Sequence, residues 1–481
     1  MTLSRLWAFL AVALPVLAAL LANLSSVDLA YHLRAGQMIL DTGRIPTTDT
    51  WTFTAAGTSW LNQQWGAQLV LAAVYRAAGW TGLVVLRATL VGLMFGFLFE
   101  ACRRRGLDLR RAAWLTIAAF VVSAVALALR PQLLGMTLLT LTVLLVADRR
   151  AHPRRLWAIP LIVLAWASIH GSFFLGPVML GLAWLEDLHD RAPNPHRLLL
   201  LAVLSVAAAT VNPFGPGVWA YAVGLSTNPF ITSRISEWQP TTLRTIPGIL
   251  FFGSVAAIVV LIARRGRVVS WPTLATFGVF AAIGTYAIRG VAWWPLGAAT
   301  AAAGLLVKEQ VPAPASGAAP DAEGDPIPRG PERSRRVNLV IVGLIVIACV
   351  ILLPVWRPVD ARVGAPTAVV GDAPAGITSS LGQMVRPGDH VMNPQPWGSW
   401  FELAVPDARY VIDSRIEIVP VEVWDEFDAV RSGADGWQQT LSTWDVRFVI
   451  TEHDQAAFTA RLLAAGWRQV YADDDGSILT R

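Results

Sequence analysis

Near the start of the chain, an aspartate and a histidine lie four residues apart. Asp28 and His32 fall in the stretch SSVDLAYHLRAGQMIL, and this spacing would place both side chains on one face of a helix. A carboxylate and an imidazole on one face can bind a divalent metal ion, or they can form an acid/base pair. Two plainer roles stay open. Asp28 stands at a plausible helix start and could cap it, and His32 could be a structural histidine.

Further polar side chains follow in the loops and turns between apolar runs. Two of them are carboxylates that could assist a reaction, Asp49 and Glu237. The side chains that could bind a substrate are Arg130, Gln132, His170, Asn212, Trp238 and Arg289.

Each of these residues also has a structural alternative. Asp49 follows Pro-Thr-Thr and could stabilise a turn, and Asn212 begins the turn-like Asn-Pro-Phe-Gly. His170 could be a hydrogen-bonded histidine in a turn. Arg130 and Arg289 could bind a phosphate or an anionic lipid headgroup, or they could simply anchor helix ends at a membrane surface.

The elements that must position these residues are apolar runs near the length that crosses a bilayer. The chain has 481 residues, of which 54% are hydrophobic and 15% charged, and its mean hydropathy is +0.51. These values exclude an ordinary soluble enzyme and a disordered protein. We predict about eleven transmembrane helices, near 6–24, 81–101, 112–129, 133–147, 156–169, 171–186, 198–211, 249–263, 272–288, 290–306 and 337–356.

Arginine clusters predict the orientation of these helices. Runs such as Arg103–Arg105 and Arg149–Arg150 recur in alternate turns, which predicts that those turns and the N-terminus are cytoplasmic. The protein is then a multi-pass inner (plasma) membrane protein in contact with the lipid bilayer. All the candidate residues fall in the outer turns, whereas the inner turns show only solvated arginine runs. A polar cavity that opens outward is therefore predicted.

The sequence divides into four segments. We predict a transmembrane domain over 1–306 with a first outer loop at 25–80, and a disordered cytoplasmic linker over 307–336, which is rich in Pro, Ala and Gly. The last transmembrane helix, 337–356, leads to an extracytoplasmic α/β domain over 357–481. Strand-like runs such as VRFVIT alternate there with helical segments.

Several soluble-enzyme motifs are absent from the sequence. It has no G-x-x-x-x-G-K-[ST], no dinucleotide-binding G-x-G-x-x-G, no G-x-S-x-G and no H-E-x-x-H. We therefore expect no nucleotide cofactor. Because basic residues do not form a face interleaved with aromatic residues, we expect no nucleic-acid partner.

The stretch Asp28-Leu-Ala-Tyr-His32-Leu, followed by Gly43-Arg-Ile-Pro46 and Asp49, resembles the GT-C class of polytopic membrane glycosyltransferases. The class is characterised by an early acidic residue, an amphipathic helix and a Gly-x-x-Pro turn in the first outer loop. The motif covers 25–66 and the architecture covers 1–306, as in a divergent bacterial member. Better-known branches carry Asp-Glu or Asp-x-Asp in this loop, whereas Leu29 and Ala30 follow Asp28 here.

The resemblance implies a cell-envelope enzyme that moves a sugar from a polyprenyl-phosphate carrier to an extracytoplasmic glycan, lipid or protein. Asp28 would be the general base of an inverting displacement, and Arg130 and Arg289 would hold the departing phosphate. His32, Asp49 or Glu237 would orient the acceptor or bind Mg²⁺ or Mn²⁺, with Asp28 and His32 as the metal ligands. Two alternatives are a lipid or solute transporter and a non-enzymatic envelope assembly protein.

Overall fold

The computed structural model describes residues 1–264, 269–307 and 332–481. Its N-terminal part is helical. The helices are α1 (Leu3–Leu21), α2 (Ser26–Thr42), α3 (Trp65–Arg104), α4 (Leu109–Ser123), α5 (Pro131–Ala147), α6 (Ala158–Ala167), α7 (Leu175–His189), α8 (His196–Ala209), α9 (Gly217–Thr227), α10 (Pro229–Arg234), α11 (Ile246–Arg264), α12 (Trp271–Tyr286), α13 (Trp293–Leu306) and α14 (Glu332–Ile351).

Each of the eleven apolar runs overlaps one of these helices. Among the residues that the structure describes, four helical segments are long and apolar enough to cross a membrane by length and composition: Leu3–Leu21, Trp65–Arg104, Leu109–Ala126 and Ile246–Arg264. Several others are shorter, so the count of spans stays a prediction. The predicted linker 307–336 lies almost entirely outside the described residues, because the structure describes nothing between 307 and 332.

Helix α3 organises the bundle. It packs against α1, α2 and α5, and its 40 residues include a kink at Gly79, where φ is +56°. The turns of α3 before Gly79 fall within the first outer loop predicted over 25–80, and the bounds of that loop stay a prediction. On the outside of the bundle, large apolar side chains such as Leu161 and Val203 are exposed, as expected for helices that face lipid.

The arginine-rich turns gather at one end of the bundle. The sequence predicted that these arginines would simply be solvated, but several of them form buried or partly buried ion pairs. Arg149 is only 3% exposed and pairs with Asp187 at 2.7 Å. Arg105 binds both carboxylate oxygens of Glu186, at 2.6 and 2.8 Å. The prediction was wrong because these acidic residues lie on α7, far along the chain from the arginines that they neutralise.

The C-terminal part contains a five-stranded mixed sheet. Its strands lie in the order β6 (Arg409–Tyr410), β5 (His390–Met392), β7 (Val446–Glu452), β9 (Gly476–Thr480) and β8 (Arg468–Ala472). Strand β5 is parallel to β6 and β7, and β9 is antiparallel to β7 and β8. The strands are β1 (Leu24–Ser25), β2 (Val359–Asp360), β3 (Ala365–Pro366), β4 (Val370–Gly371), β5 (His390–Met392), β6 (Arg409–Tyr410), β7 (Val446–Glu452), β8 (Arg468–Ala472) and β9 (Gly476–Thr480), and the helices are α15 (Ala375–Met384), α16 (Gln395–Ala404), α17 (Val421–Ser432), α18 (Trp437–Thr443) and α19 (Ala456–Ala464).

Helices α15 and α16 were not predicted, and α16 is the one that docks this part onto the bundle. It packs against α2, while β4 pairs in parallel with β1, directly after α1. Gly398 on α16 allows close packing, since a Cβ there would lie 2.1 Å from the carbonyl oxygen of Ile412. The C-terminal part therefore covers the end of the bundle that carries the first outer loop.

Candidate functional site

A cavity of about 770 Å³ lies where the turns at one end of the bundle, those predicted to be outer, meet the C-terminal part. Most of the site residues predicted from the sequence line it, although they come from five separate segments of the chain. These are Asp28, His32, Arg130, Gln132, His170, Glu237, Trp238 and Arg289.

At the centre of this group, an arginine bridges two carboxylates. The Nε atom of Arg130 lies 3.1 Å from Asp28 Oδ2, and its Nη1 donates a hydrogen bond to Glu237 Oε1 at 2.9 Å. Arg130 is the N-cap residue of α5, directly before Pro131, which is pre-organised for the first helical turn. Asp28 lies in the first turn of α2, whose N-cap is Ser25, so its carboxylate is turned towards Arg130 instead of capping its own helix.

The two carboxylates differ in acidity. Burial raises the pKa of Asp28, and the nearby Arg130 only partly opposes this change. Burial also favours the neutral form of Glu237, but Arg130 and Arg289 outweigh it and hold the pKa of Glu237 below its ordinary value. The pKa of Asp28 is thus shifted towards the protonated form and the pKa of Glu237 towards the ionised form, and Asp28 lines the cavity.

A second arginine, Arg289, lies beside this group. The Arg289 guanidinium stacks on the indole of Trp238 at 4.4 Å and forms no ion pair with any described residue. It lies in the 3₁₀ turn Ile288–Gly290, whose backbone carbonyl at 289 accepts a weak hydrogen bond from Gln132 Nε2 at 3.4 Å. Because burial lowers the pKa of Arg289, the site favours a ligand that supplies negative charge.

Both predicted histidines line the cavity as neutral imidazoles. Burial, with Arg130 as a smaller cause, lowers the pKa of His32 to about 3. Burial and Arg289 lower the pKa of His170 to about 3 as well. His170 Nδ1 accepts a hydrogen bond from the Ser172 backbone N–H at 3.1 Å, so His170 holds a turn and also faces the cavity.

Two predicted site residues lie away from the cavity, which argues against the roles assigned to them. Asp49 is 1% exposed; it accepts hydrogen bonds from Thr52 and pairs with Arg415 at 2.7 Å. Asn212 accepts from the Phe214 backbone N–H at 2.8 Å and shapes a turn. In both cases the turn-forming alternative describes the observed contacts.

The predicted metal ligands Asp28 and His32 do not fit a divalent cation. A guanidinium already stands 3.1 Å from the Asp28 carboxylate, and a second positive charge there would be repelled. No group of three or more His, Cys, Asp or Glu side chains within the described ranges could hold a metal ion. Arg130 lies about a hundred residues away from Asp28, so local spacing could not reveal this contact.

Several cavity residues were missed by the sequence analysis. The most prominent are Tyr31 of α2, Tyr221 of α9 and Glu417 of the C-terminal part. The amide of Gln63, just before α3, also lines the cavity. Tyr31 could have been found, because it lies next to His32 in the motif; the RIEIVP segment around Glu417 carries no local signal.

Solved structures of an archaeal oligosaccharyltransferase and of ArnT share this fold. The archaeal oligosaccharyltransferase AglB from Archaeoglobus fulgidus, in complex with an inhibitory peptide and a dolichol-phosphate, superposes with a TM-score of 0.58 and 12% identity over 94% of this chain and 70% of AglB. AglB in complex with zinc and sulfate gives 0.57 and 13%, over 100% and 73%. ArnT from Cupriavidus metallidurans, bound to undecaprenyl phosphate, gives 0.52 and 14%, over 98% and 97%.

At these identities the comparison establishes the fold. AglB and ArnT are GT-C glycosyltransferases, so the resemblance predicted from the first outer loop is confirmed at that level. The fold and the apolar helices are those of a polytopic membrane protein. No protein-family model matches the sequence, and no curated protein matches it significantly.

Proposed function

We propose that this protein is an inverting membrane glycosyltransferase that moves a sugar from a polyprenyl-phosphate carrier to an extracytoplasmic acceptor. The observation that carries the proposal is the Asp28–Arg130–Glu237 group beside the unpaired Arg289, inside a cavity at the outer end of the bundle. This group supports the proposal because a carboxylate that could act as a base lies next to guanidinium groups that suit a phosphate.

The proposed reaction is a single displacement at the anomeric carbon of the donor sugar. An acceptor hydroxyl attacks this carbon, the bond to the phosphate oxygen breaks, and the configuration inverts. The acceptor proton passes to Asp28, whose pKa is raised by burial and which is therefore a better base than an ordinary aspartate. Glu237 keeps Arg130 in position and stays ionised, because its own pKa is lowered.

The leaving group is a lipid phosphate, which departs with negative charge. We assign its binding to Arg130 and Arg289, with Gln132 supporting the turn that carries Arg289. An arriving phosphate would add the negative charge that Arg289 lacks, and hydrogen bonds to charged groups are the stronger kind. That AglB and ArnT were solved with lipid phosphates supports this assignment.

The test is sugar transfer by the purified protein in detergent. A panel of polyprenyl-phosphate sugars is supplied with an envelope acceptor extract, and wild type is compared with Asp28→Asn. We expect the substitution to lower the transfer rate by ~10²–10⁴-fold, because a positioned general base contributes about that much. Binding of undecaprenyl phosphate should change much less.

The matched control is Asp41→Asn, which removes an exposed carboxylate of the same helix α2 that lies outside the cavity. Variants that retain the folded protein and its transfer rate at position 41, but lose transfer at position 28, support Asp28 as the base. Full transfer by Asp28→Asn would refute that assignment. Donor binding without transfer by wild type would favour a transporter instead.

A further inference from the structure

A third carboxyl group enters the cavity from the C-terminal part of the chain. Glu417 lies in the 3₁₀ turn Ile416–Ile418, and its Oε1 accepts a hydrogen bond from the Tyr221 hydroxyl at 3.2 Å. It makes no ion pair with any residue that the structure describes. Its side chain is solvent-accessible, and it lines the cavity wall.

This turn is held firmly beside the first outer loop. Arg415, two residues before Glu417, has a fully buried side chain that binds Asp49 at 2.7 Å and also pairs with Asp413. Ser414 Oγ donates a hydrogen bond at 2.7 Å to the carbonyl oxygen of Val27, the residue before Asp28. The position of Glu417 relative to Asp28 is therefore fixed by contacts that span almost the whole chain.

Glu417 and Asp28 line the same cavity from different parts of the chain, the C-terminal turn and α2. The charged groups that act on Asp28 are Arg130, Glu237 and Arg289. Burial raises the pKa of Glu417, and the charged groups that act on it are Arg415 and Asp413 instead. Both Asp28 and Glu417 raise the pKa of Tyr31, in addition to burial.

The cavity that Glu417 lines also carries aromatic rings and neutral hydrogen-bonding groups. Besides Tyr31 and Tyr221, its lining includes Trp60 and the amides of Gln63 and Gln395. The Oε1 atom of Gln63 is buried and has no hydrogen-bond partner among the described residues. A carboxyl group, amides and aromatic faces together suit sugar rings, whose hydroxyls donate and accept while their apolar faces pack on aromatics.

We propose that Glu417, with Tyr221 and Tyr31, binds a neutral, hydroxyl-rich sugar unit of the acceptor. This assignment rests on the proposed transfer reaction, since the acceptor hydroxyl would then face Asp28 across the cavity. An anionic acceptor is disfavoured, because its charge would face the unpaired Glu417. The acceptor class is thereby narrowed from glycan, lipid or protein to a neutral glycan.

Direct binding measurements on the full-length protein in detergent test this assignment without requiring turnover. The probes are neutral oligosaccharides of glucose, mannose, galactose and arabinose, a matched set of amino-sugar oligosaccharides, and a short peptide. Undecaprenyl phosphate is the probe for the phosphate site that we assign to Arg130 and Arg289. The variants are Glu417→Ala, Glu417→Gln and Tyr221→Phe, with the exposed Glu422→Gln as the matched control in the same C-terminal part.

We expect wild type to bind at least one neutral oligosaccharide and Glu417→Ala to weaken it by about tenfold or more, as for loss of a hydrogen bond to a charged group. Glu417→Gln should weaken it less, because an amide oxygen still accepts. Tyr221→Phe should cost a few-fold. The Kd for undecaprenyl phosphate should stay within about twofold in every variant, which also shows that they are folded.

Three outcomes would overturn the assignment: no neutral oligosaccharide binds, the amino sugars or the peptide bind in its place, or Glu417→Ala binds the neutral sugar as wild type does. Failure of the proposed function looks different. In that case undecaprenyl phosphate is not bound or no sugar is transferred, while neutral-sugar binding still depends on Glu417.

Discussion

Replacing Arg130 with Gln should make Asp28 hold its proton to higher pH. In the native site the Arg130 Nε lies 3.1 Å from Asp28 Oδ2, and Glu237 is bound to the same guanidinium. Glutamine keeps much of the side-chain volume and can still hydrogen-bond, but it removes the positive charge. Two carboxylates would then share one end of the cavity without the cation that separates them, and both pKa values should rise.

The size of the effect follows from Coulomb's law. Two unit charges about 4 Å apart interact by ~1 kcal/mol in bulk water and by ~4 kcal/mol at an effective dielectric of 20. Asp28 is 28% exposed, so its surroundings lie between these limits, and water in the cavity screens part of the interaction. Since ~1.4 kcal/mol is a factor of ten in a protonation equilibrium, the ionised fraction at acidic pH should fall by about fivefold to a hundredfold.

The assay is carbodiimide labelling of Asp28 as a function of pH, quantified by mass spectrometry of the Asp28 peptide. Carbodiimides react with protonated carboxyl groups, so the labelling midpoint reports the pKa without any need for turnover. Arg289→Gln is the matched control. It removes the other arginine that acts on Asp28, and its effect is the smaller of the two. The midpoint should therefore move to higher pH in the order wild type, Arg289→Gln, Arg130→Gln.

The reasoning is refuted if Arg130→Gln leaves the midpoint where it is in wild type, or if Arg289→Gln moves it further. Either result would mean that the Asp28–Arg130 contact does not control the charge of Asp28. The proposed base would then lack the electrostatic setting on which its assignment depends.

Two further outcomes follow from buried groups. Asp49→Asn leaves Arg415 with one fewer counter-charge in the protein interior. We expect a clearly lower thermal unfolding temperature in detergent, because the free energy of unfolding should fall by up to ~3–5 kcal/mol. Unchanged stability combined with lost transfer would instead make Asp49 catalytic. His32 binds a proton near pH 6.5 when unfolded but only at about 3 when folded, so its contribution to stability is present above pH 6.5 and is lost as the pH falls towards 3, by at most ~1.4 kcal/mol per pH unit. His32→Gln should flatten this part of a stability-versus-pH curve, and an unchanged slope would contradict it.

Local patterns predicted the helices well. A long apolar run with few charges has few alternatives in a membrane, because every backbone polar group must be satisfied within the helix. The turns between the runs also followed from local signals, such as Gly43, which ends α2 with φ at +67° and donates to the Ile39 carbonyl. The candidate residues were all predicted to lie in turns on one side of the bundle, and most of them line one cavity.

The errors share a physical cause, which is contact between residues far apart in the chain. Asp49 meets Arg415, 366 residues later, and Arg130 meets Glu237, 107 residues later. A turn-forming aspartate and a buried ion-pair partner look the same in the sequence, and Asp49 is both. The unpredicted helix α16 begins Gln-Pro-Trp-Gly, where Pro and Gly obscure the helical pattern even though Pro is tolerated in a first turn.

Helix α2 explains why the most informative motif lies where it does. One side packs so closely on α3 that a Cβ on Gly36 would lie 2.1 Å from the carbonyl oxygen of Gln68. Another side packs against α16, and the residue before Asp28 accepts the hydrogen bond of Ser414. Few residue types satisfy the bundle, the C-terminal part and the cavity at once. The stretch from Ser26 to Gly43 therefore carries a pattern that can be recognised in the sequence. Glu417 lies in a short turn held by its neighbours Ser414 and Arg415, so no comparable pattern surrounds it.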